Sequence, residues 1–273
     1  MQRCRPLLGT FVEITARASD ESKLHAAVNG AFAAVEGIQH LMSVHDPDSE
    51  LSRLNRFAEL RPITVSHETF AVLRRAHAMA VESDGAFDYT VAPTLAQWGL
   101  LPARLYRKCP GGWRDVRMLP GRKVRFLRPL ALDLGGIAKG FAVDRAIDAL
   151  RRGGATAAVV NAGGDLRVFG AQSSRILLRH PARPQTFATS LRIERAALAT
   201  SSPCFTEQAW RGRRVSHLVD PINGSAITGD VSVSVRAREC WLADALTKVV
   251  LNAPCRAKRL LARYEAEAFV VTA

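Results

Sequence analysis

The segment LDLGGIAKGF, residues 132–141, brings an aspartate, two adjacent glycines and a lysine close together. Because glycine has no Cβ, backbone amides beside it can approach a ligand closely, and amides at the start of a helix favour an anion. The segment therefore suits a phosphate. It is neither a dinucleotide fingerprint nor a P-loop, because Gly136 directly follows Gly135 and Lys139 precedes Gly140. For either glycine pair alone, here or at 163–164, a tight turn or close packing is the more economical interpretation.

A second group of candidate residues lies on one predicted helix, in the segment WLADALTKVVL, residues 241–251. Asp244, Thr247 and Lys248 are spaced so that a helix places them on one side. Two interpretations remain open at this point. Asp244 and Lys248 could form an ion pair on a solvated face, which contributes only about 0.2–0.5 kcal/mol. Alternatively, Asp244 could be a hard oxygen ligand for Mg²⁺, which binds nucleotide phosphates together with one or two carboxylates and water.

His217, in the segment SHLVDP, is a candidate general base. The ordinary pKa of an imidazole lies near neutrality, so this side chain could accept a proton from a hydroxyl group. The alternative is a loop histidine whose hydrogen bonds are satisfied by its neighbours, and for a single histidine that is the more common case.

The elements that must position these residues are predicted from periodicity and capping. The glycine turn is predicted to lie in a βαβ-like unit, as the connection between a strand and a helix at about 137–151 that leads into the strand TAAVVN. Residues 101–129, rich in proline, glycine and arginine, are predicted to be an extended connection with short strands and a candidate lobe boundary. The other predicted elements are a strand over GTFVEITA, a helix from Leu24 to Met42, a short turn capped by Ser49 or Asp48, a helix capped by Ser66, several short strands after residue 162, a helix at about 242–252, a basic helix near RAKRLLARY and a closing strand AFVVTA.

Composition narrows the class of protein. A hydrophobic content of 48% with 23% charged residues is ordinary for a soluble globular chain, and no apolar run is long enough to predict a transmembrane segment. The formal net charge of +13 favours anionic partners, but the basic residues are dispersed without interleaved aromatics, so nucleic-acid binding is disfavoured. Five scattered cysteines show no metal-finger spacing. The first residues show no signal-peptide pattern, and the compartment is left open between cytoplasm and periplasm.

Eight segments in a fixed order carry more information than any of these motifs alone. They are LLGTFVEI, MSVHDPDSELSRLN, GAFDYTVAPTLAQWGL, LDLGGIAKGFAVDRAI, VNAGGDLRVFG, ATSS, SHLVDPINGSAI and ADALTKVVL. In these segments the chain resembles the ApbE family of FAD:protein FMN transferases along nearly its whole length.

The resemblance implies a mixed α+β fold of two interlocked lobes, with a flavin nucleotide site in the cleft between them and residues 1–273 forming one domain. It implies a transferase that cleaves FAD and attaches FMN through a phosphoester bond to a Ser or Thr of an acceptor flavoprotein, releasing AMP, with Mg²⁺ as a cofactor. The alternatives are an FAD pyrophosphatase, in which water replaces the acceptor hydroxyl, and an FAD-binding protein without turnover.

The resemblance also implies roles for individual residues. His217 is the catalytic base, and the metal ligands are the Gly136 backbone and Asp244, with Thr247 as the candidate third ligand. The implied FAD-binding residues are Leu8, His45, Ala86, Phe87, Asp88, Asp133, Lys139 and Ile227.

Three positions depart from the family pattern. Leu8 stands where the family often has Met, and His45 stands where it often has a Tyr against the flavin. Lys248 stands four residues after Asp244, where the family commonly has a metal-binding Thr. An ammonium group cannot ligate Mg²⁺. Either Thr247 substitutes for the missing ligand, or Lys248 supplies part of the metal's charge, or the metal site is impaired.

Overall fold

The computed structural model of this chain describes residues 1–106, 109–171 and 173–273. The predicted helix caps are confirmed, because the Ser49 side chain accepts a hydrogen bond from the Ser52 amide and the Ser66 side chain accepts one from the Thr69 amide. The described residues contain seven α-helices: α1 (Glu21–Met42), α2 (Glu50–Phe57), α3 (His67–Glu82), α4 (Ala92–Gln97), α5 (Ala138–Arg152), α6 (Cys240–Asn252) and α7 (Pro254–Arg263).

The strands form one large sheet and several small ones, and the predicted mixed α+β fold class is confirmed. The large sheet has the order β1-β2-β6-β7-β10-β15-β16, and every neighbouring pair in it is antiparallel. The strands are β1 (Gln2–Leu7), β2 (Thr10–Ala18), β3 (Ile63–Thr64), β4 (Val116–Leu119), β5 (Lys123–Phe126), β6 (Ala155–Ala162), β7 (Asp165–Phe169), β8 (Ser173–His180), β9 (Arg183–Glu194), β10 (Ala197–Ser201), β11 (Gln208–Trp210), β12 (Arg213–Val215), β13 (Val219–Asp220), β14 (Ser225–Ala226), β15 (Val231–Ala237) and β16 (Glu267–Thr272).

One face of the large sheet packs against α1, α5 and α6. Period-two alternation in β2 explains this, because Val12, Ile14 and Ala16 are fully buried in the main core while the intervening residues are more exposed. The opposite face is covered near β7 by the β8–β9 ribbon, where Leu166 and Val168 form a second apolar cluster with residues of the ribbon.

The predicted short strands in residues 101–129 are confirmed as β4 and β5, which pair with β3 in a three-stranded sheet. Residues 107 and 108 of that predicted connection lie outside the described residues. The main buried cluster includes residues on both sides of the connection, from Val12 to Leu260. A single domain with a lobe boundary near 101–129 remains our proposal.

The βαβ-like unit predicted around the glycine turn is wrong. The chain before α5 is extended and buried, but it is not paired as a strand, and β6 is antiparallel to both of its neighbours. The backbone of the segment before α5 is held instead by the side-chain amide of Asn55. This amide accepts from the Leu132 N–H at 2.7 Å and donates to the Leu132 carbonyl at 3.0 Å. An apolar run buried against helices has the same sequence pattern as a central strand, and this explains the error.

Hydrogen bonds to a buried carboxylate on α5 fix the position of α6 against α5. Glu239, which precedes α6, makes no side-chain cap hydrogen bond; the buried Asp144 carboxylate on α5 accepts from the Cys240 and Trp241 amides at 3.0 and 2.9 Å. The same carboxylate pairs with Arg167 of β7 at 2.6 Å. In the described part of the chain, no helix combines the length and apolarity needed to cross a membrane.

Candidate active site

A cavity of about 810 Å³ opens beside the glycine turn. A cavity of this volume is in the range of cofactor and nucleotide sites. Its walls come from the β1–β2 turn, the end of α1 with the following loop, the loop after α3, the glycine turn, the end of β10, the loop around His217 and the cavity side of α6.

The β1–β2 turn places Leu8 in the cavity wall at a cost in backbone strain. Leu8 and Gly9 both have positive φ angles, 57° and 69°, which is the two-residue hairpin geometry that normally favours Asn or Gly at the first position. The Leu8 amide donates to the Gln39 side chain on α1 at 2.5 Å, which ties the turn to the rim of the cavity. A strained apolar residue that lines a cavity suggests that its side chain contributes to binding.

The loop after α3 carries Ala86, Phe87 and Asp88 into the cavity. Ser83 accepts a hydrogen bond from the Phe87 amide at 3.0 Å, and Asn252 of α6 donates to the Ala86 carbonyl at 2.9 Å. Asp88 accepts from both the amide and the hydroxyl of Thr90 at 2.7 Å. Burial nevertheless raises the pKa of the Asp88 carboxyl above its ordinary value.

The glycine turn lies between this loop and α6. The Asp133 amide donates to the Tyr89 carbonyl at 2.9 Å, which joins the turn to the loop after α3. A Cβ placed on Gly136 would lie 3.4 Å from both the Phe87 ring and the Lys248 side chain, so both side chains approach the turn closely. The absence of a side chain at Gly140 allows α5 to pack closely against α6, because a Cβ there would overlap the Cys240 carbonyl group at the start of α6.

Four charged side chains lie under the glycine turn. Lys139 forms an ion pair with Asp165, and Lys248 forms one with Asp244. Both lysines line the cavity, whereas Asp165 and Asp244 are absent from the lining and have side-chain exposures of 2% and 1%. Asp244 and Lys248 therefore form the predicted ion pair, but the prediction that it lies on a solvated face is wrong. Their side chains are only 1% and 16% exposed.

Burial and neighbouring opposite charges compete within this group, and for Asp165 burial prevails and raises the pKa of the carboxyl. Burial opposes the charged form of Lys139, but Asp165 and Asp244 outweigh it and raise the pKa of the ammonium above its ordinary value. Burial likewise opposes the charged form of Asp244, but Lys248 and Lys139 outweigh it and hold the pKa of the carboxyl below its ordinary value. The cavity floor therefore carries two lysine–carboxylate pairs, with the lysines on the cavity side.

His217 is exposed at the rim of the same cavity. Partial desolvation lowers the pKa of its imidazole below the ordinary value, while the charge of Asp133 acts in the opposite direction. Ser216 fixes the loop by donating to the Ile227 carbonyl at 2.6 Å, and the Ile227 amide donates to the Leu218 carbonyl at 2.8 Å. A neutral imidazole at the mouth of a cavity can accept a proton from a hydroxyl group that approaches from outside.

The structure brings most of the predicted site residues together. The residues that line the cavity are Leu8, His45, Ala86, Phe87, Asp88, Asp133, Gly136, Lys139 and His217. Asp244 and Thr247 lie behind the lining, and Ile227 is outside it and supports the His217 loop through its backbone. Sequence reasoning missed Gln39 and Asn252, since an amide on a helix carries no signal of its partner.

Two of the three predicted metal ligands, Asp244 and Thr247, are already engaged within the protein and do not fit a divalent cation. The Asp244 carboxylate is engaged by the Lys248 ammonium and by the Gly140 amide, and the fully buried Thr247 hydroxyl donates to the Asp244 carbonyl at 2.6 Å. Thr247 also lies 2.7 Å from the Ser201 hydroxyl. Within residues 1–106, 109–171 and 173–273, no group of three or more His, Cys, Asp or Glu side chains has the arrangement of a metal site.

Comparison with known proteins agrees with this architecture. The family model described as the ApbE family matches residues 8–270. An FAD:protein FMN transferase of Vibrio cholerae serotype O1 is 30% identical over 230 residues, which cover 78% of this chain and 69% of the relative. Among solved structures, the ApbE protein of Thermotoga maritima matches with a TM-score of 0.85 at 25% identity, covering 100% of this chain and 94% of that chain. The flavin transferase ApbE of Vibrio cholerae matches with a TM-score of 0.80 at 25% identity, covering 100% and 93%.

The fold and the cavity define a mixed α+β protein with a nucleotide-sized site beside one antiparallel sheet. With a family match over nearly the whole chain, this protein belongs to the ApbE family.

Proposed function

We propose that this protein is an FAD:protein FMN transferase, which moves FMN from FAD to a Ser or Thr hydroxyl of an acceptor flavoprotein and releases AMP. One observation carries the proposal: a single cavity combines an apolar wall with two lysines, Lys139 in the first turn of α5 and Lys248 on α6. A flavin dinucleotide has matching parts, because it joins a large aromatic ring system to a diphosphate. The names of the relatives support the same activity.

The apolar side of the cavity is assigned to the flavin ring. Leu8, Ala86 and Phe87 offer apolar surface there, and His45 at the rim keeps a flat ring where a larger aromatic would bury more area. Asp88 and Asp133 are the polar groups that would orient the ring or the ribityl chain, since both lie in the lining.

The diphosphate is assigned to the glycine turn and the lysines. The N-terminus of α5 favours an anion, and Lys139 lines the cavity directly beside it. Positive groups that are already fixed in place stabilise the charge that develops on phosphate oxygens during transfer, and such groups are typically worth a few kcal/mol. Asp165 has the supporting role of holding the Lys139 ammonium in position.

In the proposed reaction, the acceptor's hydroxyl oxygen attacks the phosphorus on the riboflavin side of FAD. The bond from this phosphorus to the bridging oxygen breaks, and the bridging oxygen leaves with AMP. The proton of the hydroxyl passes to His217, whose lowered pKa keeps the imidazole neutral and able to accept it at pH 7. The new bond is the phosphoester between FMN and the acceptor.

Mg²⁺ dependence is implied by the family resemblance alone. Because the predicted ligands Asp244 and Thr247 are engaged by other protein groups, no step above is assigned to a metal.

FAD pyrophosphatase activity is the second candidate. His217 is exposed at the rim, so a water molecule could take the place of the acceptor hydroxyl. Intact-mass analysis of a candidate acceptor after incubation with the enzyme and FAD separates the two activities. An added FMN moiety supports the transferase. Free FMN and AMP without acceptor labelling supports the hydrolase, and unchanged FAD would contradict both.

A further inference from the structure

The Lys248 side chain lies among the residues predicted to hold a metal. Its ammonium contacts the Asp244 carboxylate, and it also donates to the Asp244 backbone carbonyl at 3.1 Å. Its Cε atom is 3.4 Å from the position that a Cβ on Gly136 would take. Lys248 therefore fills the space between Asp244 and Gly136, two of the three predicted ligands.

The orientation of the ion pair indicates a role beyond packing. Asp244 is 1% exposed, whereas the Lys248 side chain is 16% exposed and lines the cavity. The carboxylate also accepts a hydrogen bond from the Gly140 amide at 3.2 Å, so it holds in place the ammonium of a lysine that lines the cavity. Lys139 lines the same cavity floor and is anchored in the same way by Asp165.

We propose that the Lys248 ammonium takes the place of a divalent cation at the FAD diphosphate, so that this protein binds FAD without Mg²⁺. The inference rests on the proposed function, since it requires FAD in this cavity. An ammonium can donate three hydrogen bonds, and Lys248 gives one each to the carboxylate and the carbonyl of Asp244. Among the described residues the third has no hydrogen-bond partner, and it is available to a phosphate oxygen, to which a charge-assisted hydrogen bond is stronger than a neutral one.

The Thr247 hydroxyl is consistent with this assignment. It is fully buried and it donates to the Asp244 carbonyl, with Ser201 as its second partner. A threonine that served as a metal ligand would need its oxygen to face the cavity, but Thr247 is absent from the lining while Lys248 is present. The hydroxyl thus supports the helix backbone behind the ammonium.

Isothermal titration calorimetry tests the proposal with FAD as the ligand and riboflavin as the phosphate-free control. Wild-type protein is titrated in EDTA and again in Mg²⁺, which requires no variant to fold. We expect the Kd for FAD to differ by less than about twofold between the two buffers. A site that still depended on a divalent cation would bind FAD at least about tenfold tighter in Mg²⁺, as expected for one strong charged contact, and this result would overturn the proposal.

Variants then separate phosphate binding from a structural ion pair. Lys248→Thr should weaken FAD binding about tenfold or more in EDTA, leave riboflavin binding unchanged, and regain affinity in Mg²⁺ because the Asp244 carboxylate is released. The double variant Asp244→Asn/Lys248→Met avoids an unpaired buried charge; it should weaken FAD binding to a similar extent without recovery in Mg²⁺. Lys23→Met, on the exposed start of α1, is the matched control and should bind FAD as wild type does.

The outcomes distinguish this inference from the proposed function. If the double variant keeps wild-type affinity for FAD, Lys248 is a structural residue and the inference fails while the function stands. If wild-type protein binds no FAD in either buffer, the proposed function fails and the inference fails with it.

Discussion

His217 and Asp133 line one cavity, and their charges act on each other there. Desolvation lowers the pKa of the imidazole, whereas burial raises the pKa of the Asp133 carboxyl, so the environment favours the neutral form of each group. His45, in the same lining, also lowers the pKa of His217 when it is charged. These effects are consistent with the proposed role of His217 as a base at pH 7.

Replacing His217 by Gln should reduce the rate of FMN transfer about 100-fold or more, with the Kd for FAD little changed. Because the pKa of His217 is lowered from 6.5, the wild-type rate should remain high at pH 7 and fall only as the pH drops below about 6.5, where the imidazole becomes protonated. The variant should lose this acid limb. The measurement is a pH–rate profile, and the control is His67→Gln, which replaces an exposed histidine. A near-normal rate for His217→Gln would remove His217 from the mechanism.

At the scale of single residues, the sequence predicted which side chains lie near one another. It did not predict the burial of each side chain or the hydrogen bonds and ion pairs that it makes. Asp133, Lys139 and His217 stood out because charged residues beside glycine or in loop segments are recognisable. The burial of Asp244 could not be predicted, because residues on one side of a helix have the same spacing whether that side meets water or another helix. Ile227 was predicted as a flavin contact, and only the folded loop shows that its backbone supports the segment of His217.

The contact between α5 and α6 determines where the two lysines lie. Lys139 is in the first turn of α5 and Lys248 is on α6, so the relative position of the helices sets the separation of their ammonium groups. Gly140 permits the close approach, and Asp144 fixes it by capping α6.

Gly140→Ala should destabilise the protein by about 1–3 kcal/mol or more, because the added methyl group overlaps the Cys240 carbonyl and lies 2.8 Å from the Trp241 nitrogen. The control is Gly37→Ala on α1, where nothing lies within 4 Å of the new Cβ and the better helix propensity of Ala should stabilise the protein by about 0.5–1 kcal/mol. Urea denaturation of both variants measures the difference. Equal stabilities would show that α5 and α6 are not closely packed at Gly140.

Asp144→Ala should cost about 3–5 kcal/mol, because it removes the cap of α6 and leaves Arg167 unpaired at 12% exposure. Asp148→Ala, on the same helix, removes a more exposed partner of Arg145 and should cost no more than about 1 kcal/mol. Thermal unfolding of the two variants tests the contrast. A cost for Asp144→Ala as small as that of Asp148→Ala would contradict the bracing role.

Most helices were predictable because amphipathic periodicity and Ser caps are local signals, as in α1, α2 and α3. The strand predicted before the glycine turn was wrong because its hydrogen-bond partner is Asn55, which is distant in the chain. The first strand, β1, was missed, since a run rich in Arg shows no apolar alternation and pairing with β2 alone defines it. The glycine pair at 163–164 forms the turn between β6 and β7 with positive φ angles at both positions, as its tight-turn interpretation predicted.

For the whole molecule, the antiparallel sheet and its three packed helices form a rigid support, and the cavity lies where loops from both halves of the chain meet. The mixed α+β class was predicted, but the strand order was not, because a sequence without repeats does not specify which distant strands become neighbours. The proposed single domain agrees with the main hydrophobic core, which contains residues from both halves of the chain.

FMN transfer is tested most directly by following the two halves of FAD separately. FAD that carries one isotope label in the riboflavin half and another in the adenine half is incubated with the enzyme and a candidate acceptor flavoprotein, and the products are separated after denaturation. We expect that the riboflavin label stays covalently bound to a Ser or Thr of the acceptor, that the adenine label appears as AMP in equal amount, and that His217→Gln slows the appearance of both about 100-fold or more. Recovery of the riboflavin label as free FMN, or of both labels in unchanged FAD, would contradict it.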